Sequence, residues 1–471
     1  MRLLYAAIIF AALLSGCAST GEWTSDTPTK ANSRTSKAAR VNLKSQSVSK
    51  VYAPSDNLWI RIRDGFQMEP MNTPLEIEQI RWLSARPDYV HRSMARSSRY
   101  LFYIVQEVNA RNMPTEIALL PFVESAFVTN AKSSAKAVGL WQFMPATGKD
   151  FRLTQNVFRD ERRDVLQSTD AALDYLQRLN NQFGSWELAL AAYNWGAGNI
   201  LKAQKRNLAA GLPTNYESLT LPKETRNYVP KLMAYRQIVL DPQAYGIVLP
   251  ELENHPYFVA LDVGADIDVA LVIQLAEIPS DEFHSLNPSF NKPVILSNAN
   301  QQILLPFGHA EIFQENLKNY GKPLSSWTAV QISKTESVDQ AAKTLGVEVD
   351  MLREVNGIPR GMRIRAGSTV LIPKTNKRPG DVSSAMAENA SLSLEKPPPP
   401  TPKCPKPVKG AKGAKVAKCA PEKSQTKGNS SANNAASQHK SASTGLAKSA
   451  KNSSSAAPTA KSSGTGGSKN Q

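Results

Sequence analysis

From about residue 57 to Pro250 the apolar side chains of this 471-residue chain recur at three- and four-residue spacing. No stretch there alternates for long in the manner of a half-buried strand. A chain with that periodicity buries its apolar stripes by packing helix on helix. Leu173, Leu176, Leu179 and Phe183 make the clearest stripe, with Ser168 and Thr169 ahead of it as N-cap candidates. A second helix is predicted after Ser185, through Trp186 to Tyr193, with Gly196 and Gly198 as its stop signals. The expectation is a mainly α domain over residues 54–250.

Two segments that follow share one pattern. With Asn287 aligned on Asn356, Val269 falls on Val338, Val272 on Ala341, Ala276 on Leu345, Ile278 on Val347, Asp281 on Asp350 and Phe283 on Leu352. Each segment closes with a short apolar strand and a proline, Ile303-Leu304-Leu305-Pro306 and Val370-Leu371-Ile372-Pro373. Both read strand, helix, helix, strand, which predicts two small βααβ modules at 255–308 and 328–374. From residue 375 to the end the chain turns to Lys, Ala, Ser, Gly and a proline run at 397–400, and a disordered basic tail is expected.

A hydrophobic content of 41% is low for one fully globular body of this length, and the N-terminus accounts for part of that. Residues 3–14 form an almost unbroken apolar run, long enough for an export signal and too short for the roughly twenty residues of a membrane-spanning helix. Leu14-Ser15-Gly16-Cys17 resembles a bacterial lipobox, which implies a signal peptide over 1–17 and a lipid on Cys17. An ordinary signal peptide ending beside a chance cysteine is the alternative. Ala18 resembles the sorting pattern for the periplasmic face of the outer membrane, and residues 18–53 read as a flexible tether to a membrane anchor. Cys404 and Cys419 lie in the tail, so the core holds no cysteine nucleophile, and the five histidines show no metal-ligand spacing. The net charge of +16 is concentrated rather than spread: residues 377–471 carry sixteen Lys and Arg against four acids. That distribution argues against nucleic acid and points to cell-wall carboxylates and lipid headgroups as anionic partners, with the tail as an electrostatic tether or a partner-binding segment.

The stretch with chemical content starts at Asn112-Met113-Pro114-Thr115-Glu116, where Pro114 suits a first helical position. The helix is predicted to run through Glu124, with Pro121 kinking or interrupting it just before. Phe122, Val123, Ala126 and Phe127 give Glu124 the most apolar neighbourhood of any acid in the domain. Desolvation raises the pKa of such a carboxyl, as a general acid at neutral pH requires. A glutamate on a helix surface would read the same way locally, so two further segments matter. Gly139-Leu140-Trp141-Gln142-Phe143-Met144-Pro145 mixes large apolar groups with one amide, which suits a sugar groove and equally a core segment. Ala192-Tyr193-Asn194-Trp195-Gly196-Ala197-Gly198 sets Tyr193 and Asn194 at a helix end, either facing a cleft or simply capping.

In order along the chain, Glu124-Ser125, the segment from Gly139 to Pro145, the segment from Ala192 to Gly196, and Tyr228-Val229-Pro230 resemble the motifs of the lytic transglycosylases with a lysozyme-like fold. Arg159-Asp160-Glu161-Arg162-Arg163-Asp164 matches that family's loop before the central helix. The resemblance implies that Glu124 protonates the glycosidic oxygen between N-acetylmuramic acid and N-acetylglucosamine in peptidoglycan. It would then take the proton of the muramic 6-hydroxyl as a 1,6-anhydro ring closes. Ser125, Gln142, Phe143, Met144, Tyr193, Asn194 and Tyr228 would bind the strand and orient Glu124. No cofactor and no metal are implied.

The second repeat resembles a LysM domain, a glycan-binding βααβ module. Its groove would involve Thr335, Glu336, Asn356 and Ile358, with Thr335-Glu336 standing where a Gly-Asp pair is usual. The first repeat is a weaker match and is expected to be a degenerate copy serving as a spacer. Two other functions compete: a muramidase that uses water, and a non-catalytic peptidoglycan-binding lipoprotein. The chemistry of the cleaved ends separates the first from a transglycosylase, and release of soluble fragments separates the second. Oligomeric state leaves no trace in the sequence.

Overall fold

The computed structural model describes residues 57–297 and 302–399. The expected export signal, the tether, Cys17, Cys404, Cys419 and the chain from residue 400 onward lie outside the described residues. The first half is helical, as its periodicity requires. α1 (Leu58–Asp64), α2 (Pro74–Ser84), α3 (Pro87–Ser97) and α4 (Leu101–Ala110) lead into a 3₁₀ turn, Thr115–Leu119, and a short α5 (Leu120–Glu124). α6 (Pro145–Asp150), α7 (Val165–Phe183), α8 (Trp186–Trp195), α9 (Ala197–Ala209) and α10 (Lys223–Leu240) complete it.

Local chemistry sets these boundaries, in two places differently from expectation. α7 begins four residues earlier than a Ser168 cap would place it, because the Asp164 carboxylate caps the N–H groups of Leu166 and Gln167. Ser168 and Thr169 are buried inside the helix. Gly196, at φ 93°, stops α8, but α9 starts at the next residue, so Gly198 lies in a helix rather than ending one. Pro121 has no N–H to offer the Ile117 carbonyl, so the ladder before Glu124 cannot continue as one α-helix. Leu120 N–H takes that carbonyl in the tighter 3₁₀ pattern, and the single predicted helix becomes two short pieces.

α10 is the axis of the domain. It buries Tyr228, Val229, Leu232, Met233, Tyr235, Ile238 and Val239 and packs against α2, α5 and α8. Glu116, fully buried, accepts from Gln67 N–H, Met68 N–H and Arg236 Nε at 3.2, 3.0 and 3.0 Å. This ion pair clamps the 3₁₀ turn onto α10.

In the first module β1 (Phe258–Asp262) and β2 (Ile267–Asp268) precede α11 (Val269–Ala276) and α12 (Ser280–Leu286), and β3 (Val294–Ile295) and β4 (Gln302–Pro306) follow. The second repeats the plan with β5 (Trp327–Gln331), β6 (Glu336–Ser337), α14 (Val338–Leu345), α15 (Val349–Asn356), β7 (Arg363–Ile364) and β8 (Thr369–Pro373), after α13 (Phe307–Asn319). β1 pairs antiparallel with β4 from Phe258↔Pro306 to Asp262↔Gln302, and β5 with β8 from Trp327↔Pro373 to Gln331↔Thr369. A second, two-residue pair, β2 with β3 and β6 with β7, adds to the predicted βααβ order in each. The aligned asparagines do the same work in both copies. Asn287 Nδ2 donates to Phe283 O and Leu304 O while its Oδ1 accepts from Leu304 N–H. Asn356 makes the same three bonds with Leu352 O, Leu371 O and Leu371 N–H.

Two boundaries need correction. The first module does not end at residue 308: Ala310 and Phe313 of α13 are buried in its core. Nor does order end at Pro373. Residues 374–399 form a strap that carries α16 (Ser384–Asn389) and β9 (Leu394–Glu395), which pairs with β7. The strap reaches all three bodies. Val382 N–H donates to Asp266 of the first module, Asn156 Nδ2 of the helical domain donates to Ala387 O, and Thr369 N–H of the second module donates to Ser391 O. Val382, Ala387 and Ala390 share one apolar cluster with Phe158, Val294, Leu296, Ala329 and Leu371. Its polar composition hid this segment, because so few apolar residues carry the packing.

Asn287→Ala and Asn356→Ala each leave a strand N–H and a strand carbonyl in the core of a module without their side-chain partner. Each variant should lose roughly 2–3 kcal/mol in urea denaturation, whereas Asn319→Ala, at the exposed end of α13, should stay near wild type.

Candidate active site

Glu124 ends α5, and the chain leaves it through a strained turn. Ala126 and Phe127, neither of them glycine, both adopt left-handed conformations at φ 50° and 58°. The turn is held from several sides. Pro121 O accepts from Ser125 N–H and Phe127 N–H, and Arg96 Nε donates to Ala126 O at 2.8 Å. The buried Phe127 ring stacks on Tyr100 and meets Phe122 edge-on at 4.5 Å between centroids.

The Glu124 carboxyl is half-buried and faces α10. Tyr228 donates its hydroxyl proton to Glu124 Oε1, and Lys231 Nζ lies 3.4 Å from Val123 O. Burial pushes the Glu124 carboxyl up to about 7; the Tyr228 bond and Lys231 pull it down, and Glu224 pushes it up. Tyr228 itself is raised well above its ordinary value by burial and by Glu124, so it stays a donor. Its placement depends on Pro230. That proline deprives the Arg226 carbonyl of its helical partner, and the Tyr216 hydroxyl replaces it, 2.8 Å from Arg226 O and 2.9 Å from Thr225 O.

The loop at 139–143 closes the other side. Gly139 stands at φ +86°, where a Cβ would lie 2.1 Å from Arg162 O, so only glycine fits. Ser125 Oγ donates to Leu140 O at 3.0 Å and Tyr193 OH to Trp141 O at 2.8 Å, tying the loop to the residues beside Glu124. Gln142 folds back on its own loop, its amide 2.8 Å from Gly139 O. Arg162, almost fully buried, donates to Phe143 O and Lys136 O and forms two bonds with Asp160. Asn194 accepts from Thr225 Oγ1 at 2.8 Å and donates to Glu224 at 3.4 Å.

Several expected contact residues lie elsewhere. Phe143 is 2% exposed and packs on Tyr193 and Phe151, so it is a core residue rather than a sugar platform. Trp141 is likewise buried, its Nε1 donating to Thr169, while Met144 is exposed. In the second module Glu336, Asn356 and Ile358 are buried. The Asn356 amide is consumed by internal bonds, which makes it a strut of the module instead of a glycan ligand. Thr335 is the one of the four at the surface, its Oγ1 accepting from Ala366 N–H. Glu224 and Thr225, which precede the Tyr228 motif, carried no assigned role in the sequence and Lys231 none either, although they recur with Tyr228 at helical spacing on one face of α10. Arg162 lies in the loop that the resemblance picked out, but half of its side-chain bonds go to backbone carbonyls, which leave no mark in a sequence.

The class of the protein follows from two family models. "Transglycosylase SLT domain" matches residues 103–211, which hold Glu124, the loop and Asn194. "Lytic transglycosylase MltD, LysM-like domain" matches residues 257–322, the repeat expected to be degenerate, with α13 included. The helical half is therefore a lytic transglycosylase domain. Over 383 residues the chain is 32% identical to membrane-bound lytic murein transglycosylase D of Escherichia coli (strain K12), covering 78% of this chain and 84% of that protein. The chain belongs to the membrane-bound lytic murein transglycosylase D family. It is also 42% identical over 128 residues to a putative tributyltin chloride resistance protein of Alteromonas sp. (strain M-1), covering 27% of this chain and 58% of that protein. Among solved structures, the 70 kDa soluble lytic transglycosylase of Escherichia coli matches 36% of this chain and 31% of its own, at 21% identity and a TM-score of 0.25, a value too low to carry an argument.

A carboxyl whose folded pKa is raised favours the native state most below its unfolded value of about 4.3, and that contribution is lost as pH rises through about 7. Glu124→Gln should therefore gain stability over wild type as pH rises from about 4 to 8, by up to about 3 kcal/mol in urea denaturation. Tyr228→Phe should move the transition upward in pH.

Proposed function

We propose that Glu124 is the single acid and base of a peptidoglycan lytic transglycosylase that cleaves the bond from N-acetylmuramic acid to N-acetylglucosamine and leaves 1,6-anhydro ends. The observation that carries this is a carboxyl poised near neutrality under Tyr228 and Lys231. Burial keeps the proton available for the glycosidic oxygen. Once that proton is given, the Tyr228 hydroxyl and the Lys231 ammonium stabilise the carboxylate, which then takes the proton of the muramic 6-hydroxyl as that oxygen closes on the anomeric carbon. No water is consumed, and Glu124 ends the cycle protonated. An internal nucleophile also explains why one carboxyl suffices where most glycosidases use two.

Ser125 and Tyr193 serve by fixing the loop at 139–143 against Glu124, and Asn194, Gln142 and Met144 border the same region. The two βααβ modules would bind glycan and feed it to the helical domain. Cys17, as a lipid attachment point, would hold the enzyme on the periplasmic face of the outer membrane. Among the described residues no helix is long and apolar enough to cross a membrane.

The competing muramidase reading needs a second carboxylate, and Glu224 is an acid whose charge acts on Glu124. Mass spectrometry of fragments released from purified sacculi separates the two. Ends one water lighter than hydrolysed ends, and inert to borohydride, are expected; reducing muramic ends would sink the transglycosylase reading. Glu124→Gln should lower the release rate by about 10²–10⁴-fold; a variant that cleaves at the wild-type rate would remove Glu124 from the chemistry, and a wild-type chain that binds sacculi and releases no fragments would be a binding scaffold.

A further inference from the structure

On the far side of the loop at 139–143 from Glu124 lies a cavity of about 340 Å³, lined by Asn130, Lys132, Lys136, Val138, Arg162 and Arg163, with Pro145 and Asp160. Its charge is unbalanced. Asp160 is taken up by Arg162 through two bonds, at 3.0 and 2.8 Å. Arg163 donates through Nη2 to Asn291 Oδ1 of the first module and keeps a buried Nε–H with no hydrogen-bond acceptor, 4.0 Å from the Asp160 oxygen that Arg162 already holds. Lys132 and Lys136 are exposed at their surface ends and have no ion-pair partner among the described residues. They sit at the two ends of a tight turn, closed by the Lys132↔Val138 bridge, in which Lys136 adopts φ 69°.

The cavity and the catalytic group share a wall. Val138 exchanges backbone bonds with Phe143, and Gly139 N–H donates to Ala131 O. The same loop is tied to Ser125 and Tyr193 next to Glu124. A peptide of three or four residues spans at most about 10–14 Å.

We infer that this cavity receives the carboxylate of a peptide stem carried by the glycan strand bound at Glu124. Lys132 and Lys136 would supply the donors, with the Arg163 guanidinium adding positive charge to the lining, and the loop at 139–143 acting as the divider between peptide and sugar. The inference rests on the strand lying at Glu124 as proposed above. A strand without stems would leave the cationic end of the site empty, so the cavity makes the enzyme discriminate between stem-bearing and denuded glycan.

The test uses the full chain with Glu124→Gln, so that binding is read without turnover. Soluble glycan oligomers bearing stems, and the same oligomers with stems removed by an amidase, are titrated calorimetrically. Adding Lys132→Gln and Lys136→Gln together, both surface positions that spare the fold, should weaken the stem-bearing oligomer about tenfold and leave the denuded one unchanged. Amidating the stem carboxylates should produce the same loss in the chain that keeps both lysines. Equal weakening of both oligomers, or of neither, would overturn the inference. Because these are affinities, a chain that proved unable to form anhydro ends would fail the catalytic reading while the cavity's preference remained measurable.

Discussion

The geometry of the site hangs on a carboxylate that does no chemistry. Glu116 is removed from solvent, and two backbone N–H groups and Arg236 supply its partners. Removing one partner from such a group is expensive, about 3–5 kcal/mol, because a charge is left uncompensated. Glu116 sits in the 3₁₀ turn that feeds α5, and Arg236 lies two helical turns beyond Tyr228 on α10. The pair therefore fixes how far Glu124, at the end of one element, stands from Tyr228, on the other. Arg236 is itself held by the Phe66 ring, 5.0 Å from its guanidinium, so the clamp extends back to the start of the domain.

Around that clamp the site concentrates unfavourable choices and offsets them locally. A half-buried carboxyl, two left-handed non-glycine residues and a proline inside α10 each cost stability. Phe127 repays its backbone by packing between Tyr100 and Phe122, and Tyr216 repays Pro230 by supplying the missing donor. The carboxyl keeps its penalty, and that penalty is the source of its proton affinity. The loop at 139–143 has no helix or sheet to hold it and relies on Arg162, whose five donors suit a run of backbone oxygens.

Much of this was legible in the sequence, for reasons that also mark where legibility stopped. Helical periodicity identified the first half, and the aligned asparagines identified both modules, because each pattern is a direct image of which side faces the core. The motif order pointed to Glu124, Tyr193, Asn194 and Tyr228, which the fold brings together. Periodicity tells a buried face from an exposed one but not a wall from a cleft, and Phe143 and Ile358 fell on the wrong side of that line. Ser168 and Thr169 lost to Asp164, because which of several good caps is used depends on where the preceding loop is held. The strap at 374–399 was hidden, since its buried residues are only Val382, Ala387 and Ala390, with Met386, Leu392 and Leu394 partly buried beside them.

The strap also ties together parts of the chain that are made far apart in time. Asn156 and Ala387 are separated by 231 positions, and Val382 and Asp266 by 116. Contacts of such long range form late and slowly. The helical domain and the two modules can each fold as they emerge, but the cluster that joins them waits for almost the last described residue. Before that, Arg99–Glu282 and Tyr100–Ser285 already join the helical domain to the first module, and Lys292–Val355 joins the two modules; the arrival of Val382, Ala387 and Ala390 adds an apolar seam common to all three.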